Sequence, residues 1–210
     1  MSAGVRKSIE ACFREYTDVL KPALAMTESL SQEFPGPVLN EIRAVFDHIS
    51  RCYAPELTEN ECLEEMKKGR GHLLRAILDC YKALLITYED GVKKFGEQYK
   101  NVDLTLVGDG DFLPELNRLH QEAKNLAIQA REEESSAFPN KEDAFNHYQK
   151  AIVAYSRIPE YIKGHSKGLA LASQRARKKD LKAIIHTVFG AVLGAVLGIV
   201  LTILYERLSS

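Results

Sequence analysis

The chain has 210 residues, which leaves room for one globular domain and an appendage. Its net charge of −1 hides an uneven distribution, because residues 1–162 carry 20 basic and 27 acidic side chains, while residues 163–182 carry seven basic side chains and one acidic one. The acidic body argues against a protein that binds duplex DNA, whereas the short basic segment suits contact with an anionic membrane surface.

The first two predicted helices are separated by a Pro-Gly-Pro sequence. Apolar residues recur at intervals of three and four over residues 3–33, and Pro35, Gly36 and Pro37 end this pattern. A second amphipathic pattern covers residues 38–53. We expect its core-facing side to consist of Leu39, Ile42, Val45, Phe46 and Ile49.

The third predicted helix is the longest and extends from Thr58 to about residue 100. Thr58 followed by Glu61 has the spacing of a capping box, in which each side chain binds the backbone N–H of the other residue. Gly69 and Gly71 predict a kink in this helix. The strongly apolar stretch over 72–88 predicts the central helix of the core.

Residues 101–110 interrupt the helices, and two more helical patterns follow over 112–135 and 141–163. Because no strand pattern of useful length occurs, we predict an all-α fold in which residues 1–165 form a helical bundle domain. The four cysteines lack the spacing of a metal site and fit buried apolar positions. We expect no metal and no cofactor.

A basic neck, residues 166–182, connects the predicted bundle to the most apolar segment of the chain. The 22 residues from Ile184 to Tyr205 contain no Lys, Arg, Asp or Glu. As a helix they would extend roughly 33 Å, which is enough to cross a hydrocarbon core of about 30 Å. The sequence therefore predicts one transmembrane helix over 183–205 and a far-side tail of residues 206–210.

The charges on the two sides of this segment predict its orientation. Seven basic residues precede it and only Arg207 follows it, so the positive-inside rule keeps the N-terminal domain in the cytoplasm, at the inner membrane if the source is bacterial. We expect the neck to bind lipid head groups through Arg175, Arg177, Lys178, Lys179 and Lys182.

Small residues occur every four positions along the predicted membrane helix. Gly190, Gly194 and Gly198 form a GxxxGxxxG row with Ala191 and Ala195 beside it, and such a groove lets another helix backbone approach closely. The opposite face consists of Val and Leu side chains that suit lipid. We therefore predict homo-oligomerisation through this glycine stripe, which is similar to the stripes of membrane-spanning homo-oligomers, including pores.

The pattern over 38–53 also contains an RxxxxH sequence, from Arg43 to His48. It resembles the motif of the HEPN superfamily, all-helical domains that often act as metal-independent ribonucleases. The resemblance implies that His48 would shift protons on the ribose 2′-hydroxyl or leaving oxygen, that Arg43 would stabilise charge on the scissile phosphate, and that two sites would meet across a dimer.

The residues also allow a structural interpretation of the same helix. Arg43, Asp47 and Arg51 follow one another at intervals of four, which is the spacing of an exposed ion-pair ladder, and His48 would then be a partly buried helix residue. A remnant site that senses a nucleotide or RNA is a third interpretation.

The RxxxxH sequence and the single membrane helix together resemble the membrane-anchored accessory proteins of type VI-B CRISPR systems. That resemblance implies a ring that makes a membrane pore during phage defence, with another defence protein or an RNA as partner or trigger. The sequence contains no phosphate-binding loop, dinucleotide fingerprint, nucleophile elbow or HExxH. We therefore expect a non-enzymatic membrane effector that assembles with itself on the bilayer; a membrane-tethered ribonuclease and an inert tail-anchored adaptor are the alternatives.

Overall fold

The computed structural model describes residues 1–135 and 141–179, together with Leu181 and Thr187, and all regular structure in these residues is helical. The prediction of an all-α fold is therefore confirmed for this part of the chain. The helices are α1 (Ala3–Glu15), α2 (Lys21–Ser31), α3 (Gly36–Arg51), α4 (Glu59–Gln98), α5 (Phe112–Ser135), α6 (Lys141–Gly164) and α7 (166–179).

The chain divides into two compact units. The first consists of Met1–Gly96 and Glu115–Ile162, and it contains α1 to α3 with nearly all of α4, α5 and α6. The second consists of Glu97–Pro114 and Lys163–Ser210, and its described part contains two short 3₁₀ turns and α7.

The first predicted helix is continuous from α1 into α2 but contains a wider π turn at Tyr16–Leu20. In this turn the backbone N–H of Lys21 donates to the carbonyl of Tyr16, five residues earlier. Pro22 follows directly, and a proline ring clashes with the carbonyl four residues before it, so a wider turn relieves the crowding. The helix ends at Ser31, earlier than predicted, because Gln32 adopts a left-handed conformation with φ of 59°.

The capping box at the start of α4 is confirmed, since the N–H of Thr58 donates to Oε2 of Glu61 over 2.8 Å. Helix α4 continues through Gly69 and Gly71, and the predicted kink there stays a prediction. Gly69 permits close packing of α3 on α4, since a Cβ at this position would lie 3.3 Å from Cβ of His48. The predicted core stretch is confirmed by the buried side chains Leu73, Leu74, Ala76, Ile77, Leu78, Cys80, Tyr81, Leu84 and Leu85.

The predicted core face of α3 is only partly correct. Val45 and Ile49 are buried, but Leu39 and Phe46 are 52% and 51% exposed. Successive helix residues point about 100° apart, so Phe46 turns away from the neighbouring helices that cover Val45. The other helices of the first unit therefore cover a narrower part of the surface of α3 than its apolar pattern predicted.

All four cysteines are buried, as the sequence predicted, and all four are free. Cys52 follows α3 and Cys62 lies in the first turns of α4, and Sγ of Cys52 donates to the carbonyl of Cys62 over 3.4 Å. Burial raises the pKa of the Cys52 thiol to about 11, and the neighbouring Cys62 acts in the same direction. These thiols behave as small apolar groups of the core.

In the second unit, α7 packs against the connection that precedes α5. Val107, Phe112 and Leu169 are buried in this unit. Gly168 permits the contact, because a Cβ there would lie 3.1 Å from a methyl carbon of Val107. The ring of His165 lies 5.2 Å from that of Phe112, between centroids.

Among the described residues, no helix combines the length and the apolar character that spanning a bilayer requires. The predicted membrane helix over 183–205, the glycine stripe within it and the tail of residues 206–210 lie outside the described residues, apart from Thr187.

Candidate functional site

The structure places the two residues of the RxxxxH sequence on different sides of α3. His48 is buried, whereas Arg43 is exposed. Five helix positions separate them, which corresponds to about 140° around the helix axis. The two side chains therefore leave α3 in different directions.

Glu65 of α4 is the centre of the contacts that hold His48. Its Oε2 lies 2.8 Å from Nδ1 of His48 and accepts from Nη1 of Arg51 over 3.0 Å. Its Oε1 accepts from Nζ of Lys68 over 2.6 Å. Hydrogen bonds from Lys68, His48 and Arg51 outweigh burial and lower the pKa of Glu65 to about 2.

The predicted ion-pair ladder along α3 is wrong in its partners. Arg51 binds Glu65 of the next helix instead of Asp47. In the part of the chain that the structure describes, neither Arg43 nor Asp47 forms an ion pair. Both side chains are exposed.

A second group of charged side chains lies beside the first. The rings of His48 and His72 stack with centroids 5.2 Å apart. Nδ1 of His72 lies 2.8 Å from Oε2 of Glu41 and 2.6 Å from Nη2 of Arg75. This nitrogen can donate to the carboxylate only when it carries a proton, and it can accept from the guanidinium only when it does not.

Glu41 completes this second group by accepting from Nε of Arg75 over 3.0 Å. Burial disfavours the charged carboxylate, but the hydrogen bonds from His72 and Arg75 outweigh it and lower the pKa of Glu41. Each histidine therefore has a carboxylate partner on the opposite helix of the α3–α4 pair. The arrangement ties the two helices together, and it occupies Nδ1 of His48, one of the two ring nitrogens that a ribonuclease could use.

A further polar cluster, which no sequence pattern indicated, lies between α4, α5 and α6. Nε2 of His120 lies 3.1 Å from Oε2 of Glu89, and the hydroxyl of Tyr155 donates to the other oxygen of Glu89. The hydrogen bonds from Tyr155 and His120 overcome the effect of burial and lower the pKa of Glu89, while burial raises the pKa of Tyr155. No local spacing could have revealed this cluster, because its members come from three separate helices.

The predicted head-group residues lie at the end of α7. Arg175, Arg177, Lys178 and Lys179 are all exposed, and Lys182 lies outside the described residues. On the other side of α7, Leu169 and Ala172 are each only 2% exposed. Helix α7 thus presents one side to its own unit and a cationic end to the surroundings.

Within the described ranges, no three His, Cys, Asp or Glu side chains are placed so that they could hold a metal ion. The carboxylates of the α3–α4 clusters are instead bound by Lys, Arg and His side chains.

Comparisons of the chain with protein-family models, with curated proteins and with solved structures found no match.

Proposed function

We propose that the chain is a non-enzymatic membrane effector. A helical body on the cytoplasmic side is held by one C-terminal membrane helix, and copies of the chain assemble through the glycine stripe. The assembly perturbs or permeabilises the membrane as part of a defence response, such as a response to phage.

The cationic end of α7 is the observation that carries this proposal. Four exposed cations, Arg175, Arg177, Lys178 and Lys179, lie within five consecutive residues at this end. These four cations form no ion pair with any described residue. The hydrogen bonds from Thr105 are the main cause of the lowered pKa of Asp103, and the charge of Lys179 acts in the same direction. Cations near an anionic membrane surface contribute roughly 1 kcal/mol each to binding.

The position of these cations in the chain supports the same function. They immediately precede the 22 uncharged residues that begin at Ile184. A basic cluster directly before a long apolar segment is typical of the cytoplasmic side of a membrane helix. In this proposal the clusters around Glu65 and Glu41 have a structural role, in which their polar atoms bind each other across α3 and α4.

Membrane fractionation tests the anchor. The full chain should remain in the membrane pellet after an alkaline carbonate wash, and a chain that lacks residues 183–210 should appear in the supernatant. If the full chain is washed off, or the shortened chain stays in the pellet, the proposed anchor is wrong.

Dye release from vesicles tests the effect on the membrane. The full chain, reconstituted into phosphatidylglycerol-containing vesicles, should release dye faster than it does from phosphatidylcholine vesicles. Replacing Arg175, Arg177, Lys178 and Lys179 by Gln should remove most of this difference. The matched control replaces four exposed cations of the body, Arg6, Lys7, Arg14 and Lys21, by Gln and should keep it. Full-chain vesicles that never leak would favour the adaptor alternative.

A further inference from the structure

Three large apolar side chains form a line on the exposed side of α3 and the turn after it. Leu39, Phe46 and Tyr53 are 52%, 51% and 66% exposed. Leu39 and Phe46 are seven positions apart on α3, so they point in nearly the same direction about 10 Å apart. Tyr53 follows at the same spacing in the turn after α3, where its N–H donates to the carbonyl of Ser50. Phe13 of α1 is 44% exposed and lines the same small cavity as Phe46, which widens the surface.

Such a line differs from ordinary exposure of single apolar residues. Scattered apolar side chains are common on protein surfaces, whereas a contiguous apolar patch usually marks a contact with another molecule. We call the surface formed by Leu39, Arg43, Phe46, Asp47 and Tyr53 the α3 face.

The charges of the α3 face point to the identity of the partner. Arg43 and Asp47 lie along the same edge of the apolar line, and each is exposed. Among the described residues neither has an ion-pair partner, whereas the neighbouring Arg51 and Lys68 both bind Glu65. One surface thus offers an apolar line, one cation and one anion, which makes it complementary to itself.

We propose that the α3 face is a dimer interface between two copies of this chain, with the two α3 helices antiparallel. In a two-fold interface, if one residue contacts a second on the partner, the second also contacts the first. Placing the axis at Phe46 brings the two Phe46 side chains together. Leu39 then meets the partner subunit's Tyr53, since both are seven positions from the axis.

The same placement pairs the charges. Arg43 lies three positions before Phe46 and Asp47 one position after it, so in the antiparallel dimer Arg43 is offset by roughly 3 Å along the axis from the partner subunit's Asp47. This offset is within the reach of an Arg side chain, and symmetry makes the pair occur twice. In a parallel dimer the charged edges of the two copies would lie on opposite sides of the apolar line, so Arg43 could not pair with the partner subunit's Asp47.

This dimer does not depend on the proposed membrane function. The α3 face belongs to the first unit, whereas the glycine stripe belongs to the predicted membrane helix. His48 takes no part in the dimer, because it is buried against its own α4. Membrane fractionation and dye release can therefore fail while the dimer persists, and the reverse also holds.

Cross-linking of single-cysteine additions tests the geometry in the full chain in detergent. Phe46→Cys should form covalent dimers with a short bis-maleimide, because only residues at the axis meet their own copy. Leu39→Cys mixed with Tyr53→Cys should cross-link to each other, whereas Leu39→Cys alone should not. Gln129→Cys, at an exposed position of α5, is the control for random collisions. Self-cross-linking of Leu39→Cys, or no excess at Phe46→Cys over Gln129→Cys, would overturn the antiparallel dimer.

A charge exchange tests the partners. In the Phe46→Cys chain, Arg43→Asp should weaken dimerisation about tenfold or more, because it places two acidic groups together at two symmetric positions. Adding Asp47→Arg should restore cross-linking, because the two ion pairs then form again with the positions of cation and anion exchanged. Loss without restoration, in a chain whose circular-dichroism helix signal is unchanged, would contradict the proposed pairing, and so would no loss at all.

Discussion

Nδ1 of His48 lies 2.8 Å from Oε2 of Glu65, so the histidine of the RxxxxH sequence is bound to a carboxylate 17 positions further along the chain. Arg51 and Lys68 bind the same carboxylate. This contact joins α3 to α4, and no spacing in the sequence indicated it. It leaves Nδ1 of His48 bound to a carboxylate.

The first prediction concerns acid stability. The pKa of Glu65 lies at about 2 in the folded chain, below its ordinary value of 4.5. A carboxyl group with a lowered pKa stabilises the fold above its unfolded pKa, and this contribution is lost as the pH falls towards the folded value. The denaturation midpoint should therefore fall between about pH 4.5 and 2, and Glu65→Gln should lower the midpoint at pH 7 while flattening that fall. An unchanged acid profile in Glu65→Gln would show that other groups govern it.

The second prediction separates a structural His48 from a catalytic one. His48→Ala removes a buried partner of Glu65 and should lower the free energy of unfolding by about 1–3 kcal/mol. Arg43→Ala, at an exposed position without an ion pair in the described chain, should change it by less than about 0.5 kcal/mol. We expect purified wild-type protein not to cleave RNA without metal. Cleavage that both substitutions abolish would restore the ribonuclease alternative.

The third prediction compares two glycines of α4. A Cβ at Gly69 would lie 3.3 Å from Cβ of His48, whereas a Cβ at Gly91 would meet nothing within 4 Å. Gly69→Leu should therefore destabilise the chain by roughly 1–3 kcal/mol through overpacking. Gly91→Ala should stabilise it by about 0.5–1 kcal/mol, because alanine favours the helix. Chemical denaturation measures the free energy of unfolding of both variants. If the two substitutions change it equally, Gly69 is not a packing contact.

The fourth prediction concerns the glycine stripe. Gly194→Leu places a branched side chain where two backbones are proposed to touch, and close packing must stabilise such contacts because lipid is as apolar as Leu. The variant should still insert into membranes, since Leu enters the bilayer readily. We expect a smaller oligomer in detergent, measured as mass, and loss of dye release.

Val196→Leu, on the opposite face, is the control for this experiment and should behave like the wild type. If Gly194→Leu assembles and releases dye like the wild type, the glycine stripe does not drive assembly. The membrane segment would then be a passive anchor.

Local features of the fold could be predicted from the sequence because they depend on residues close together in the chain. The patterns over 112–135 and 141–163 agree with α5 and α6 to within one residue, since helical periodicity repeats every 3.6 residues. The capping box of Thr58 and Glu61 is equally local. The membrane helix, its orientation and the glycine stripe stay predictions, because they concern residues outside those described.

Contacts between distant residues were decided by the tertiary structure. Arg51 could bind Asp47 or Glu65 as far as the sequence is concerned, and only the approach of α4 at Gly69 brings Glu65 to it. Leu39 and Phe46 looked like core residues, yet neighbouring helices cover Val45 and Ile49 instead. The sequence by itself determined which segments are helical and which side chains are apolar or charged. Which of those side chains are buried, paired or left for another molecule depends on packing between helices, because local spacing does not specify how they meet.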